Sequence, residues 1–316
     1  MTLLAKLMLA TVATMAAGTV QAKTPAPGQD KPVDCDSCKE WNAPIKPFKI
    51  HGNSWYVGTA GLSAVLVTSP QGHILLDGAL PQSAPLIIAN IQALGFRIED
   101  VKVILNSHAH WDHAGGIAAL QRASGATVMA SASGALGLQS GTNGKDDPQY
   151  QADPVVHVAK VAKVKVVGEG ETVKVGPLTL TAHMTPGHTP GGTTWTWTSC
   201  EGDRCLDVVY ADSLNPYASG DFTYTGKGKT PDISASFEAS IAKVAALPCD
   251  IIIPVHPGTT DVLGKATRRN GTDNPLIDAS ACRAYAAEAG GLLAKRLAKE
   301  RGEALPLQAK GAAHVH

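Results

Sequence analysis

Residues 101–116 read VKVILNSHAHWDHAGG, an apolar run followed without a break by three histidines and an aspartate and then by two glycines. The run Val101 to Leu105 has the length and composition of a buried β-strand, and Asn106-Ser107-His108 follows its C-terminal end, where α/β proteins commonly keep their chemistry. His108, His110, Asp112 and His113 are four metal-competent side chains within six residues. In an extended segment alternate residues point the same way, so His108 and His110 are able to share one cation. The turn after them brings Asp112 and His113 round to a second cation.

Two further histidines stand in turns that follow β-rich runs. His188 lies in TPGHTPG (185–191), and His256 lies in IPVHPG (253–258). Imidazole nitrogen suits zinc, with carboxylate oxygen as an additional ligand. Structural zinc sites are closed by four ligands, usually cysteines, whereas histidines with one aspartate leave room for water. The expected arrangement is two zinc ions per chain: His108, His110 and His188 on the first, Asp112, His113 and His256 on the second. A zinc pair lowers the pKa of a shared water toward neutrality and supplies a hydroxide nucleophile, which Asp112 would orient. His51, His73, His157 and His183 carry no such context and are expected to be exposed or bonded to the backbone. His314 and His316 are assigned no role.

Working outward, Trp55 to Val57, Ala64 to Ser69 and His73 to Asp77 form a β-meander from Phe48 onward. Ser83 to Leu94 has helical spacing and stops at Gly95. Gly115 to Ala123 is expected as a helix and Thr127 to Ala130 as a strand. Residues 137–160 are Gly-, Asp- and Pro-rich and are expected to form a long surface loop bordering the site. Strands follow at Val161 to Val167, Thr172 to Val175, Leu178 to His183, Thr193 to Thr198 and Leu206 to Ala211. A helix at Ile233 to Leu247, a strand at Ile251 to Pro254 and a helix at Ala279 to Glu300 complete the chain. Two β-rich halves, each followed by helices, imply two sheets packed face to face with helices outside.

The 316 residues, 44% hydrophobic, suffice for one large catalytic domain, expected over 48–305 with an arm at 23–47 and a flexible tail at 306–316. Twenty-seven basic residues balance twenty-seven acidic ones, so no nucleic-acid or anionic-membrane footprint stands out, and a small-molecule partner and a monomer are expected. Lys6, the apolar stretch Leu7 to Ala17 and Val20-Gln21-Ala22 read as a signal peptide over 1–22 cleaved after Ala22. The apolar stretch is shorter than the roughly 20 residues that span a bilayer, so no membrane anchor is expected after cleavage. Export favours disulfides among the six cysteines. Cys200 and Cys205 flank a turn-like insert and are expected to staple a hairpin. The C-x-x-C at Cys35 and Cys38 fits a structural disulfide or redox or metal chemistry, and Cys249 and Cys282 remain downstream.

The HAHWDH run, the PGHTPGG turn, YADSL (210–214) and the late Pro-x-His together resemble the subclass B3 metallo-β-lactamases. The resemblance implies an αββα sandwich, two mixed β-sheets face to face with helices outside, hydrolysing the four-membered amide of penicillins, cephalosporins and carbapenems in the periplasm and so conferring antibiotic resistance. It implies that Ser213 binds the substrate carboxylate, with Asn215 and Gln149 as further contacts. Asp212 and Ser213 face opposite ways in a strand, so only one is expected to reach the site, and the subclass pattern favours Ser213. Asp77 fits an acceptor for a ligand imidazole and a turn cap equally. The late cysteine pair matches Cys249 and Cys282, and Ala60, where some relatives have a cysteine, leaves Cys35 to pair with Cys38. Competing readings are a secreted lactonase or other zinc hydrolase of the same fold, and a zinc-storage protein without turnover.

Overall fold

The computed structural model describes residues 30–150, 156–227, 230–271 and 273–304. The expected signal peptide and tail lie outside them. Seven strands form the first sheet in chain order: β1 (Phe48–His51), β2 (Ser54–Tyr56), β3 (Val65–Val67), β4 (His73–Leu76), β5 (Val101–Leu105), β6 (Thr127–Ala130) and β7 (Val164–Val166). β1 to β4 pair antiparallel, and β4 to β7 pair parallel. The second sheet holds β8 (Thr172–Val175), β9 (Leu178–Met184), β10 (Thr193–Glu201), β11 (Arg204–Ala211) and β12 (Ile251–Pro254), ordered β12-β11-β10-β9-β8. Only its β11–β12 pair is parallel.

Helices α1 (Cys38–Trp41), α2 (Ala84–Ala93), α3 (Trp111–Ala114), α4 (Ile117–Ser124) and α5 (Ala132–Ser140) belong to the first half, and α6 (Ser234–Ala246), α7 (Val262–Thr267) and α8 (Ala281–Arg301) to the second. Strand residues alternate between two cores, as period-2 geometry requires. Val65, Val67, Ile74 and Leu76 meet Trp195, Trp197, Tyr210 and Ile253 between the sheets. Leu66 and Leu75 face outward onto Ile87 and Ile91 of α2 and Leu120 of α4. Val209 and Ala211 face outward onto Phe237 of α6 and Leu293 of α8. The layers are therefore helix, sheet, sheet, helix, as expected, and burial on both faces explains the apolar runs at β4, β5 and β12.

Three local expectations change. The first residues of the expected 137–160 loop are helical, because Ser131 caps α5 by accepting from the Gly134 amide at 3.1 Å, a stop-and-start that Gly134 and Gly137 obscure in the sequence. The β10–β11 hairpin runs farther than expected, to Glu201 and Arg204, and Cys200 stands opposite Cys205 in register. The arm is not simply extended, since α1 carries Trp41 toward the site. Disulfides join Cys35 to Cys38, Cys200 to Cys205 and Cys249 to Cys282.

Candidate metal centre

In the second sheet β9 and β11 run the same way, both antiparallel to β10, and β12 is parallel to β11. Their C-terminal ends therefore lie at one edge and deliver His188, Ser213 and His256 together. β5 of the first sheet delivers His108 and His110 to the same edge. The two sheets are tied there: the Thr193 amide donates to Ser107 O (2.8 Å) and Trp195 Nε1 donates to Asn106 O (3.1 Å).

Of the two roles open to Asp77, its contacts are those of the strand-end turn and not of an imidazole. Its fully buried carboxylate accepts from Asn106 Nδ2 (3.0 Å), the Ser107 amide (2.8 Å), Ser107 Oγ (2.6 Å) and Tyr210 Oη (2.9 Å). The imidazole partners are carboxylates that sequence reasoning did not assign. Asp212 Oδ1 lies 2.7 Å from His108 Nδ1, and both Asp147 oxygens lie 3.0 Å from His110 Nε2. Asp212 and Ser213 thus both reach the site, from opposite sides: Asp212 backs the His108 ring while Ser213 lines the cavity. The glycines of the PGHTPGG turn make this possible, since a side chain at Gly192 would collide with Asp212 and one at Gly187, at φ +151°, with the Phe237 ring.

These partners fix which nitrogen of each ring is available. His108 keeps Nε2, buried and without a hydrogen-bond partner among the described residues. His110 keeps Nδ1. His188 donates from Nδ1 to Asn215 O (2.8 Å) and keeps Nε2, which Gln149 Nε2 approaches at 3.2 Å. Burial, then the neighbouring His113, His110 and His188, hold His108 well below the ordinary imidazole range. Burial, then His110, push His188 down to about 3. Both rings are therefore neutral at ordinary pH, with a lone pair to offer.

The second set converges as tightly. His113 Nε2 lies 3.2 Å from His256 Nε2 and 3.2 Å from Asp112 Oδ2, and His256 Nε2 lies 3.4 Å from the same oxygen. Ligands roughly 2.0–2.1 Å from a tetrahedral zinc stand about 3.3 Å apart, so the spacing fits that ion. Burial alone would raise Asp112, but the His113 and His256 imidazoles outweigh it and hold the carboxyl well below the usual range. His256 donates from Nδ1 to Gly61 O (3.2 Å) and packs on Trp41, ring centroids 5.2 Å apart. One grouping of candidate ligand atoms is His108, His110 and His188; another links His108 to Asp112 and His113. The six residues singled out in the sequence all meet here, whereas His51, His73 and His183 bond elsewhere.

A cavity of about 640 Å³ opens over both sets, lined by Trp41, Trp111, Gln149, Ser213, Asn215 and Tyr217 among others. Asn215 meets His188 through its carbonyl, a backbone contact that no sequence signal marks.

The family model described as the metallo-beta-lactamase superfamily matches residues 58–256. A solved structure of MEM-A1, a subclass B3 metallo-β-lactamase from a soil metagenome library, is 50% identical, with a TM-score of 0.80 over 83% of this chain and 99% of that one. The chain belongs to the subclass B3 metallo-β-lactamases. BJP-1, the subclass B3 enzyme of Bradyrhizobium japonicum, is 33% identical with a TM-score of 0.75, covering 84% of this chain and 98% of that one. Outside the subclass, a hydroxyacylglutathione hydrolase of Anaeromyxobacter dehalogenans is 36% identical over 155 residues, 49% of this chain. The chain spans about half the length of such curated relatives, 46% of that hydrolase and 54% of the uncharacterized YobT of Bacillus subtilis. Among the described residues no helix is long and apolar enough to cross a membrane.

Proposed function

We propose that this subclass B3 chain is an exported, monomeric, two-zinc β-lactamase of the periplasm. The observation that carries the reading is the convergence of two sets of ligand atoms beneath one cavity that Ser213 also lines. His108, His110 and His188 would hold one zinc, and Asp112, His113 and His256 the other. Bound zinc supplies a Lewis acid for the amide carbonyl and acidifies water to the point of nucleophilicity at neutral pH.

The chain's own groups do the rest. Asp112, held ionised, accepts a hydrogen bond from the attacking water and fixes its approach. Ser213 donates its hydroxyl to the substrate carboxylate, with Asn215 and Gln149 on the same cavity wall. Water adds across the four-membered amide: oxygen goes to the carbonyl carbon, the carbon–nitrogen bond breaks, and the proton ends on nitrogen. Trp41 and Trp111 wall the site on the His256 side, where the rings limit bulk water. Asp147 and Asp212 keep the ring orientations that leave the ligating nitrogens free, and Asp77 holds the turn that presents His108.

The test is turnover of a chromogenic cephalosporin by purified protein before chelation, after chelation and after zinc is returned. Activity that is lost and then restored supports the reading; full activity in protein shown to hold no metal defeats it. An acyl-lactone turned over faster than every β-lactam offered would point instead to the lactonase.

A further inference from the structure

The loop between α5 and β7 touches the first set of candidate ligands twice, through residues two apart in sequence. Asp147 meets His110 with both oxygens at 3.0 Å, and Gln149 Nε2 lies 3.2 Å from His188 Nε2. The intervening Pro148 carbonyl accepts from the Ser219 amide at 2.9 Å, and Asp147 Oδ1 also accepts from the Gln149 amide at 2.8 Å. The turn is thus one braced unit, with the Asp147 carboxylate buried against its ring.

The two contacts stand in opposite relation to a metal. Asp147 occupies Nε2 of His110, the nitrogen that does not face the cluster. That bond leaves Nδ1 as the lone-pair nitrogen and makes it more basic. His188 has its single proton on Nδ1, given to Asn215 O, so Nε2 carries only a lone pair. An amide N–H is the end of the Gln149 side chain that such a lone pair attracts. A metal needs that same lone pair, so Gln149 and the metal exclude each other there.

Resting on the metal reading of this site, we propose that the Asp147-Pro148-Gln149 turn is a metal-linked clasp, in which Asp147 holds His110 ready for the ion while Gln149 occupies His188 until the ion displaces it. Metal loading frees the Gln149 amide into the cavity that it lines. The loop thereby senses occupancy of His188 while staying anchored through Asp147.

The experiment measures zinc bound per chain against a graded chelator, using the full chain and its Asp147→Ala, Asp147→Asn and Gln149→Leu variants. Loss of an outer partner of a ligand typically weakens metal binding about 10- to 100-fold, and that is the result expected for one of the two zincs in Asp147→Ala. Asp147→Asn, which keeps an acceptor for the His110 N–H, should fall between wild type and alanine. Gln149→Leu removes the competitor and should tighten the same zinc by roughly 2- to 12-fold, the worth of one hydrogen bond. Opposite signs at residues two apart are not what general loosening of a loop produces. Affinities unchanged in both variants, or shifted in the same direction, overturn the clasp. If Asp147→Ala does not fold, Asp147→Asn and Gln149→Leu still give the two signs. A wild-type chain that binds no zinc overturns the metal reading itself, whereas one that binds two zincs indifferently to both substitutions overturns only the clasp.

Discussion

Asp77→Ala is expected to be among the most damaging substitutions outside the metal-facing residues. Four donors lose an acceptor, but not all are stranded. Asn106 Nδ2 retains His108 O at 2.7 Å, and Tyr210 Oη retains Ser63 O at 3.0 Å. The Ser107 amide and hydroxyl have no comparable alternative, since the nearest other group to Ser107 Oγ, His108 Nδ1 at 3.3 Å, is already engaged by Asp212. Each buried donor left without a partner costs about 1 to 3 kcal/mol. Asp77 also sits at φ +59°, where alanine is strained by about 1 to 2 kcal/mol. The loss is therefore on the order of 3 to 8 kcal/mol, a large part of the 5 to 15 kcal/mol of a typical domain. Asp77→Asn keeps an acceptor and tolerates positive φ, so it should cost only about 1 to 2 kcal/mol. Urea unfolding of the metal-free proteins measures both, and the zinc content of the folded proteins reports the turn that presents His108. An alanine variant within about 1 kcal/mol of wild type, or no worse than asparagine, would refute the assignment of Asp77 to that turn.

Ser213→Ala should raise KM for a β-lactam by roughly 10- to 150-fold with kcat little changed, the loss expected for a hydrogen bond to a charged group made equally in ground and transition states; a KM unchanged across several substrates argues against the carboxylate contact. Removing the Cys249–Cys282 bridge, which closes 33 residues, should cost about 3 to 4 kcal/mol by chain entropy, read as a lower urea midpoint, and a change under about 1 kcal/mol contradicts that estimate. Burial by itself would raise the Glu300 carboxyl, but Arg296, the Thr225 and Tyr224 amides and the Thr225 hydroxyl outweigh it and hold it below the usual range. Its contribution is thus present above the unfolded value of about 4.3 and is lost as pH falls through the lower folded value. Glu300→Gln should flatten that acid limb of metal-free stability, and parallel curves for the two proteins would count against it.

The sequence alone determined the layers and singled out the candidate metal ligands, because both are written in local pattern. Apolar runs such as Ile74 to Leu76, Ile104 to Leu105 and Ile251 to Ile253 state burial on both faces of a strand. His108, His110, Asp112 and His113 stand so close in the chain that little but a cation explains them, and His188 and His256 share their place after a strand. What surrounds those residues was decided only in three dimensions. Asp147 lies 37 residues from His110, and Asp212 lies 104 from His108. Neither pairing leaves a periodic signal, because each is made by strand ends or loops that meet only once the sheets have packed. Asp77 shows the same limit: an aspartate after an apolar strand fits an imidazole partner as well as a turn clasp, and the register of β4 beside β5 selects the turn. Trp41 belongs to an arm whose Pro-rich sequence states only an extended path, and its place beside His256 comes from contacts with the folded body. Local sequence can specify which atoms meet a metal; the orientation of each ring depends on partners that the chain brings back from far away.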